Sequence, residues 1–243
     1  VAVSLSLYLN CKKNTEININ MRHFRPCGKT IKAIYEIGVP SIIMQSIGSF
    51  MTFGMNNILL MFSSTAAAVF GVYFKLQSFV FMPIFGLNNG LIPIIAYNYG
   101  AKEPKRITQV IRLSIYIATG IMLVGLVLFQ TIPATFMAMF DASDHMMEIG
   151  VPALRIISLS FLFAGYSIIC SSVYQALGNG VYSLIVSAAR QLFIILPAAY
   201  IFGKLFGLRM VWWAFPLAEI ISVILCTILL RKIYLHTVKP LMK

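Results

Sequence analysis

LQSFVFMPIFGLNNGLIPIIAYNYGA, residues 76–101, contains no Lys, Arg, Asp or Glu from end to end. A bilayer core about 30 Å thick takes about 20 apolar residues per helix, so this stretch predicts a membrane span with length to spare. Uncharged runs at 37–74, 113–140 and 156–189 repeat the pattern. Several exceed one crossing and must contain breaks, which Gly, Pro and Ser/Thr clusters supply. The whole chain agrees: of 243 residues, 59% are hydrophobic and 11% charged, with mean hydropathy +0.87. So few charges cannot clothe a soluble globule of this size. The fold class is an all-α membrane protein with lipid as its solvent.

Outward from that stretch, the punctuation divides the chain into a six-transmembrane-helix bundle preceded by the tail of another helix. Residues 1–9 form an apolar run that resembles the end of a preceding transmembrane helix. Residues 10–36 are polar and basic, a cytoplasmic loop closing in a short amphipathic helix. Residues 37–232 hold the six-helix lobe and 233–243 a cytoplasmic tail. The six spans are expected near 40–62, 66–96, 107–130, 149–176, 182–203 and 210–230, with an outer segment at 131–147. Pro83, Pro93 and Pro197 are expected kinks. The sequence EIGVP occurs at 36–40 and again at 148–152, each time where a span is expected to open on its Pro.

A net charge of +12 would point to nucleic acid in a soluble protein. Here it is a topology signal, and no nucleic-acid partner is expected. Six crossings put fourteen Lys and Arg on one side and two, Lys204 and Arg209, on the other, with Lys75, Arg155 and Arg190 inside spans. The positive-inside rule makes the basic side cytoplasmic, hence a multi-pass plasma-membrane protein with a cytoplasmic C-terminus. Trp212 and Trp213 would then stand at the outer rim as an aromatic belt. Cys11, Cys27, Cys170 and Cys226 lack metal-ligand spacing and are expected to be reduced, with no metal and no cofactor bound.

A charge near the bilayer centre costs about 2.5–3.5 kcal/mol on insertion scales, which makes a deep ionisable residue a functional candidate. Glu219 is the acid deepest in a span, about 15 Å down its helix. It is either an ion-coupling residue or a fixed ion-pair partner of Arg190 or Arg155. Lys75 with Gln77, Arg155, and Arg190 with Gln191 form its basic counterpart. Gln45, Asn56, Asn57, Asn88, Asn89 and Gln175 either bond across helices or line a wet cavity. One deep acid, with His23, His145 and His236 in loops or tails, assembles no acid–base or metal constellation, so no enzyme is expected.

Residues 69–102, VFGVYFKLQSFVFMPIFGLNNGLIPIIAYNYGAK, resemble the eighth helix of multidrug and toxic-compound extrusion (MATE) transporters. Tyr174 to Asn179, Ala189-Arg190-Gln191 with Pro197, and Trp213 to Glu219 resemble helices ten, eleven and twelve, and the likeness runs over roughly 29–235. The resemblance implies a twelve-helix exporter of two six-helix lobes, exchanging H⁺ or Na⁺ for cationic or amphipathic compounds. This chain would be the C-terminal lobe and its partner the missing N-terminal six-helix lobe. Where some branches carry cation-binding acids on helices seven and ten, an approximate alignment sets Gly48 and Tyr166. Neither supplies a carboxylate, which shifts ion coupling toward the other lobe or Glu219. The same superfamily contains lipid-linked oligosaccharide flippases, and an inactive half-transporter is a third reading.

Overall fold

The computed structural model describes residues 27–242, together with Tyr8, Asn10 and Lys12. The expected helix tail at 1–9, apart from Tyr8, and most of the loop at 10–36 lie outside the described residues. Every regular element among the described residues is helical: α1 Gly28–Leu60, α2 Ser64–Gly100, α3 Pro104–Thr131, α4 Pro133–Ala138, α5 Asp144–Ser158, α6 Phe161–Ala176, α7 Gly180–Ala188, a π-helical segment Ala189–Ile195, α8 Leu196–Phe206, α9 Leu208–Val211 and α10 Ala214–Ile233. A π segment Tyr234–Val238 and a 3₁₀ turn Lys239–Met242 extend α10 beyond its expected end. The chain divides into two compact units, Val1–Gly38 and Val39–Lys243, and the packing described below belongs to the second.

Local chemistry explains most boundaries. Ser63 caps α2 by accepting from the Ala66 N–H at 3.0 Å. Pro104 opens α3 in the first turn, where its missing N–H is harmless. Gly178 ends α6 at φ +77° while the Asn179 N–H returns to the Tyr174 carbonyl at 2.7 Å. Two expected helix openings are corrected. Pro40 and Pro152 lie inside α1 and α5, where each withholds one internal donor from a helix that has already started upstream of it.

Length and apolarity qualify four helical stretches as crossings among the described residues: Ser64–Gly100, Pro104–Thr131, Gly180–Phe206 and Leu208–Val238. A fifth is formed if α5 and α6, bent by 50° at their junction, count as one. The span expected near 40–62 overlaps the latter part of α1, which ends at Leu60 and whose apolar character is diluted by Gln45, Ser46, Ser49, Thr52, Asn56 and Asn57. In the four unbroken spans only 22–39% of the most apolar window is buried. Outward-facing Phe79, Met82, Tyr97 and Phe193 are what helices solvated by lipid present. Trp212 corrects the aromatic-belt expectation, since it is wholly buried and only Trp213 reaches the surface.

The break in the expected 149–176 helix has a specific cause. In a continuous helix the Leu159 N–H would bond the Arg155 carbonyl; it bonds Ile156 instead, and the Ser160 N–H bonds Ile157. The released Arg155 carbonyl accepts from Gln130 Nε2 of α3 at 2.8 Å and from Ser158 Oγ at 2.9 Å. A side chain inserted into the ladder bends the helix. Gln130→Leu is therefore expected to destabilise the lobe by about 1 kcal/mol. It should also broaden the distance distribution between spin labels at His145 and Leu162. An unchanged distribution would assign the bend to α5–α6 alone. The second irregularity, Ala189–Ile195, ends one residue before Leu196-Pro197. Pro197 donates no N–H to the preceding turn and its ring crowds that turn's carbonyl, which the wider π register accommodates.

Polar contacts tie the bundle between helices. Tyr174 donates to the Cys226 carbonyl at 2.7 Å, Ser183 to the Ser171 carbonyl at 2.7 Å, and Ser222 to Ser167 at 3.2 Å. Cys27, Cys170 and Cys226 are free thiols, the last two buried; Cys11 lies outside the described residues.

Candidate functional site

Five elements surround a cavity of about 910 Å³: α1, α2, α6, the α7–π segment and α10. Each contributes a stripe at helical spacing. From α1 come Gln45, Gly48, Ser49, Thr52 and Asn56; from α2, Tyr73, Gln77, Phe81, Phe85, Asn88, Asn89 and Ile92. From α6 come Ser167, Ile168, Ser171, Ser172 and Gln175, and Ser160 precedes that helix. Ser187, Arg190, Gln191 and Ile195 follow on the α7–π stretch, and Phe215 and Glu219 on α10. Steps of three and four residues recur because only one face of each helix meets the cavity. The opposite faces are the apolar, outward-facing ones.

Arg190 Nη1 donates to Glu219 Oε1 at 2.5 Å. The π segment carries Arg190, and widened turns of that kind recur at functional sites. The Glu219 side chain is 9% exposed and that of Arg190 22%. The pairing is single rather than forked. Arg190 Nε and Glu219 Oε2 are buried without a hydrogen-bond partner among the described residues, as is Asn88 Oδ1. Three unused polar atoms on the wall of one cavity are unusual, because buried polar groups are normally satisfied.

Nine of the expected polar residues thus line one cavity: Gln45, Asn56, Gln77, Asn88, Asn89, Gln175, Arg190, Gln191 and Glu219. Four lie elsewhere. Lys75 is two positions from both Tyr73 and Gln77, hence on the other side of α2, and its Nζ stands 5.7 Å from the centre of the Phe140 ring. Asn57 is one position past Asn56 and exposed. Arg155 is exposed and pairs with no carboxylate among the described residues; its backbone carbonyl serves the α5–α6 break. Tyr166 faces a separate groove and bonds Thr227 at 3.1 Å.

Of the two positions aligned with acids in other branches, Gly48 lines the cavity and a side chain there would meet Gln191 Oε1 at 3.6 Å. Sequence reasoning missed the hydroxyl stripe of Ser49, Thr52, Ser167, Ser171, Ser172 and Ser187. In lipid a serine can satisfy itself on its own helix, as Ser172 does on the Ile168 carbonyl at 3.1 Å, so each is a weak signal alone. Their common spacing was the available clue.

This chain shares 29% identity over 220 residues with the multidrug export protein MepA of Staphylococcus aureus (strain MSSA476), covering 90% of this chain and 48% of that protein. MepA of Staphylococcus haemolyticus (strain JCSC1435) is 25% identical over 214 residues, covering 88% and 47%. The chain spans about half the length of these curated relatives. Among solved structures, MATE in the bent conformation superposes with TM-score 0.88 at 22% identity, over 100% of this chain and 54% of that one. A MOP superfamily transporter from Pyrococcus furiosus Vc1 (DSM3638) superposes at 0.87 with 22% identity, again over 100% and 54%. The Vibrio cholerae MATE transporter VcmN gives 0.81 at 19%, over 96% and 52%. These likenesses establish the fold of a half-length lobe, corresponding to the C-terminal half of such a transporter. The MatE family profile matches residues 40–201, a region that contains four of the five walls of the cavity. With that match and a helical bundle of the same fold, the chain belongs to the MatE family.

Proposed function

We propose that this chain is the C-terminal lobe of a secondary active multidrug efflux transporter of the plasma membrane, with its C-terminus in the cytoplasm. It would work with an N-terminal six-helix lobe, exchanging H⁺ or Na⁺ for cationic or amphipathic compounds. The observation that carries this reading is the cavity: amides, hydroxyls and aromatic rings over about 910 Å³, with one acid and one base on its wall. Pockets that orient a mostly apolar ligand with a few polar groups have this character and size. Phe74, Phe81, Phe85 and Phe215 offer adaptable faces to flat or cationic compounds.

Glu219 is the proposed ion-coupling residue. Its Oε1 is held by Arg190 while Oε2 has no donor among the described residues, so a proton or cation can add there without first breaking the pair. Neutralising Glu219 would loosen Arg190 and change the polarity of the cavity wall, giving ion and substrate opposing effects on one site. The flippase reading asks for several cations along the cavity to hold phosphates. Among the described residues Arg190 is the one Lys or Arg on the wall and is already engaged, which favours export of cations or neutral amphipaths.

Glu219→Gln in the complete transporter keeps shape and removes charge. A hydrogen bond to a charged group contributes about 1.5–3 kcal/mol, so ion-driven ethidium efflux should fall about tenfold or more while membrane insertion persists. Unchanged efflux at normal expression would remove Glu219 from coupling. Efflux by this chain expressed alone would overturn the need for a second lobe, and no efflux from the complete transporter would leave the inactive reading standing.

A further inference from the structure

A second groove, of about 420 Å³, opens between α3, α6 and α10. On α3 it is lined by Thr108, Ile111, Arg112 and Ile115, and on α10 and the π segment that continues it by Thr227, Leu230, Arg231 and Tyr234. Both sets follow the i, i+3, i+4, i+7 rule, so each helix turns one continuous stripe into the groove. Tyr166 forms the α6 side and stands about 200° around that helix from Ile168, which lines the central cavity. The groove is therefore a separate site, on the outer side of α6.

Its chemistry is divided. Ile111, Ile115 and Leu230 supply apolar lining, and Arg112 and Arg231, both exposed, border the same groove. No acid lines it, and neither arginine has a carboxylate partner among the described residues. Two like charges facing one groove repel unless an anion lies between them. Arg112 is eight positions into α3, about 12 Å from its start, and Arg231 stands near the end of α10. Both ends belong to the basic side of the bundle, where Lys105, Arg106, Lys232 and Lys239 also sit. The turn Lys239–Met242 packs against α3.

We propose that this groove binds one anionic phospholipid of the leaflet on the basic side, its phosphate between Arg112 and Arg231 and an acyl chain along Ile111, Ile115 and Leu230. Basic pockets between membrane helices hold anionic headgroups by this combination of charge and apolar contact. A soluble phosphate would leave the apolar lining uncovered, and a second protein would need carboxylates at lipid depth to meet the arginines. Naming the leaflet cytoplasmic rests on the orientation proposed above; the binding itself does not.

Native mass spectrometry of the purified chain and of the complete transporter, each released from phosphatidylglycerol or phosphatidylcholine micelles, tests this. The expected result is one retained phosphatidylglycerol, and no retained phosphatidylcholine, in both proteins. Arg112→Gln/Arg231→Gln should weaken retention at least about tenfold, two charge-assisted contacts being lost. Arg112→Lys/Arg231→Lys should keep most of it, and Lys204→Gln/Arg209→Gln, on the other side, all of it. Circular dichroism in phosphatidylcholine checks that the Gln variants remain folded. If they do not, competition by soluble glycerol phosphate against the parent decides, since effective displacement identifies a phosphate site rather than a lipid site. Equal retention of phosphatidylcholine, persistence in a folded Gln variant, or loss of the lipid in the complete transporter would each overturn the proposal.

Discussion

Arg190→Leu is expected to lower the unfolding free energy of the lobe by about 3 kcal/mol, the lower end of the range for stripping one partner from a buried ion pair. Arg190 leaves behind a Glu219 carboxylate whose side chain is 9% exposed and whose second oxygen already lacks a donor. Desolvation, which the pair interaction offsets, is then uncompensated. The lower end applies because the pair lines a cavity, where some hydration survives. Arg190→Leu/Glu219→Leu should be far milder, about 1 kcal/mol or even neutral, since apolar replacement of both partners removes the uncompensated charge. Thermal or denaturant unfolding in detergent across this double-mutant cycle isolates the pair. Additive losses from the two single changes would mean that the contact contributes little and that Arg190 is held by other groups. The double variant should be export-inactive although stable, which separates the proposed coupling role of the pair from its structural one.

The architecture was largely legible because hydropathy acts locally. Residues 76–100 lie in one uninterrupted α2, and the amides at 45, 56, 77, 88 and 175 fall on cavity-facing stripes. What escaped depends on groups distant in sequence. The α5–α6 break lies in an apolar run without Gly or Pro at the junction, and its cause is Gln130, 25 positions away from Arg155. The choice of Arg190 over Arg155 as the partner of Glu219 is likewise tertiary, set by the approach of the π segment to α10. Proline was an uneven guide: Pro197 adjoins the irregular π segment, whereas Pro83 and Pro93 lie within the uninterrupted α2. Trp212 shows the same limit, for hydropathy places a tryptophan at an interface without saying whether a neighbouring helix covers it.

Gly165→Val should be the most damaging single change in the helix packing, because the obstacle is backbone. A Cβ at 165 would lie 3.2 Å from the Ala118 carbonyl oxygen and 3.1 Å from Met122 Cγ, both on α3. Small residues set such close approaches between membrane helices, where packing replaces the hydrophobic drive of water. Met122 can bend away, but the carbonyl cannot move without shifting α3. Overpacking of this kind costs about 1–3 kcal/mol. Helix α6, pushed apart from α3, also carries Ser167, Ser171, Ser172 and Gln175 in the cavity wall on one side and Tyr166 in the second groove on the other. Stability, export and phosphatidylglycerol retention should therefore fall together, a joint loss that neither Glu219→Gln nor Arg112→Gln/Arg231→Gln would produce. Gly120→Ala is the control: it lies on the same α3, nothing stands within 4 Å of its added Cβ, and unfolding should show no loss or a gain of about 0.5–1 kcal/mol. Met122→Ala added to Gly165→Val should restore only part of the stability. Complete rescue by Met122→Ala would show that the side chain, not the Ala118 backbone, sets the distance between α3 and α6.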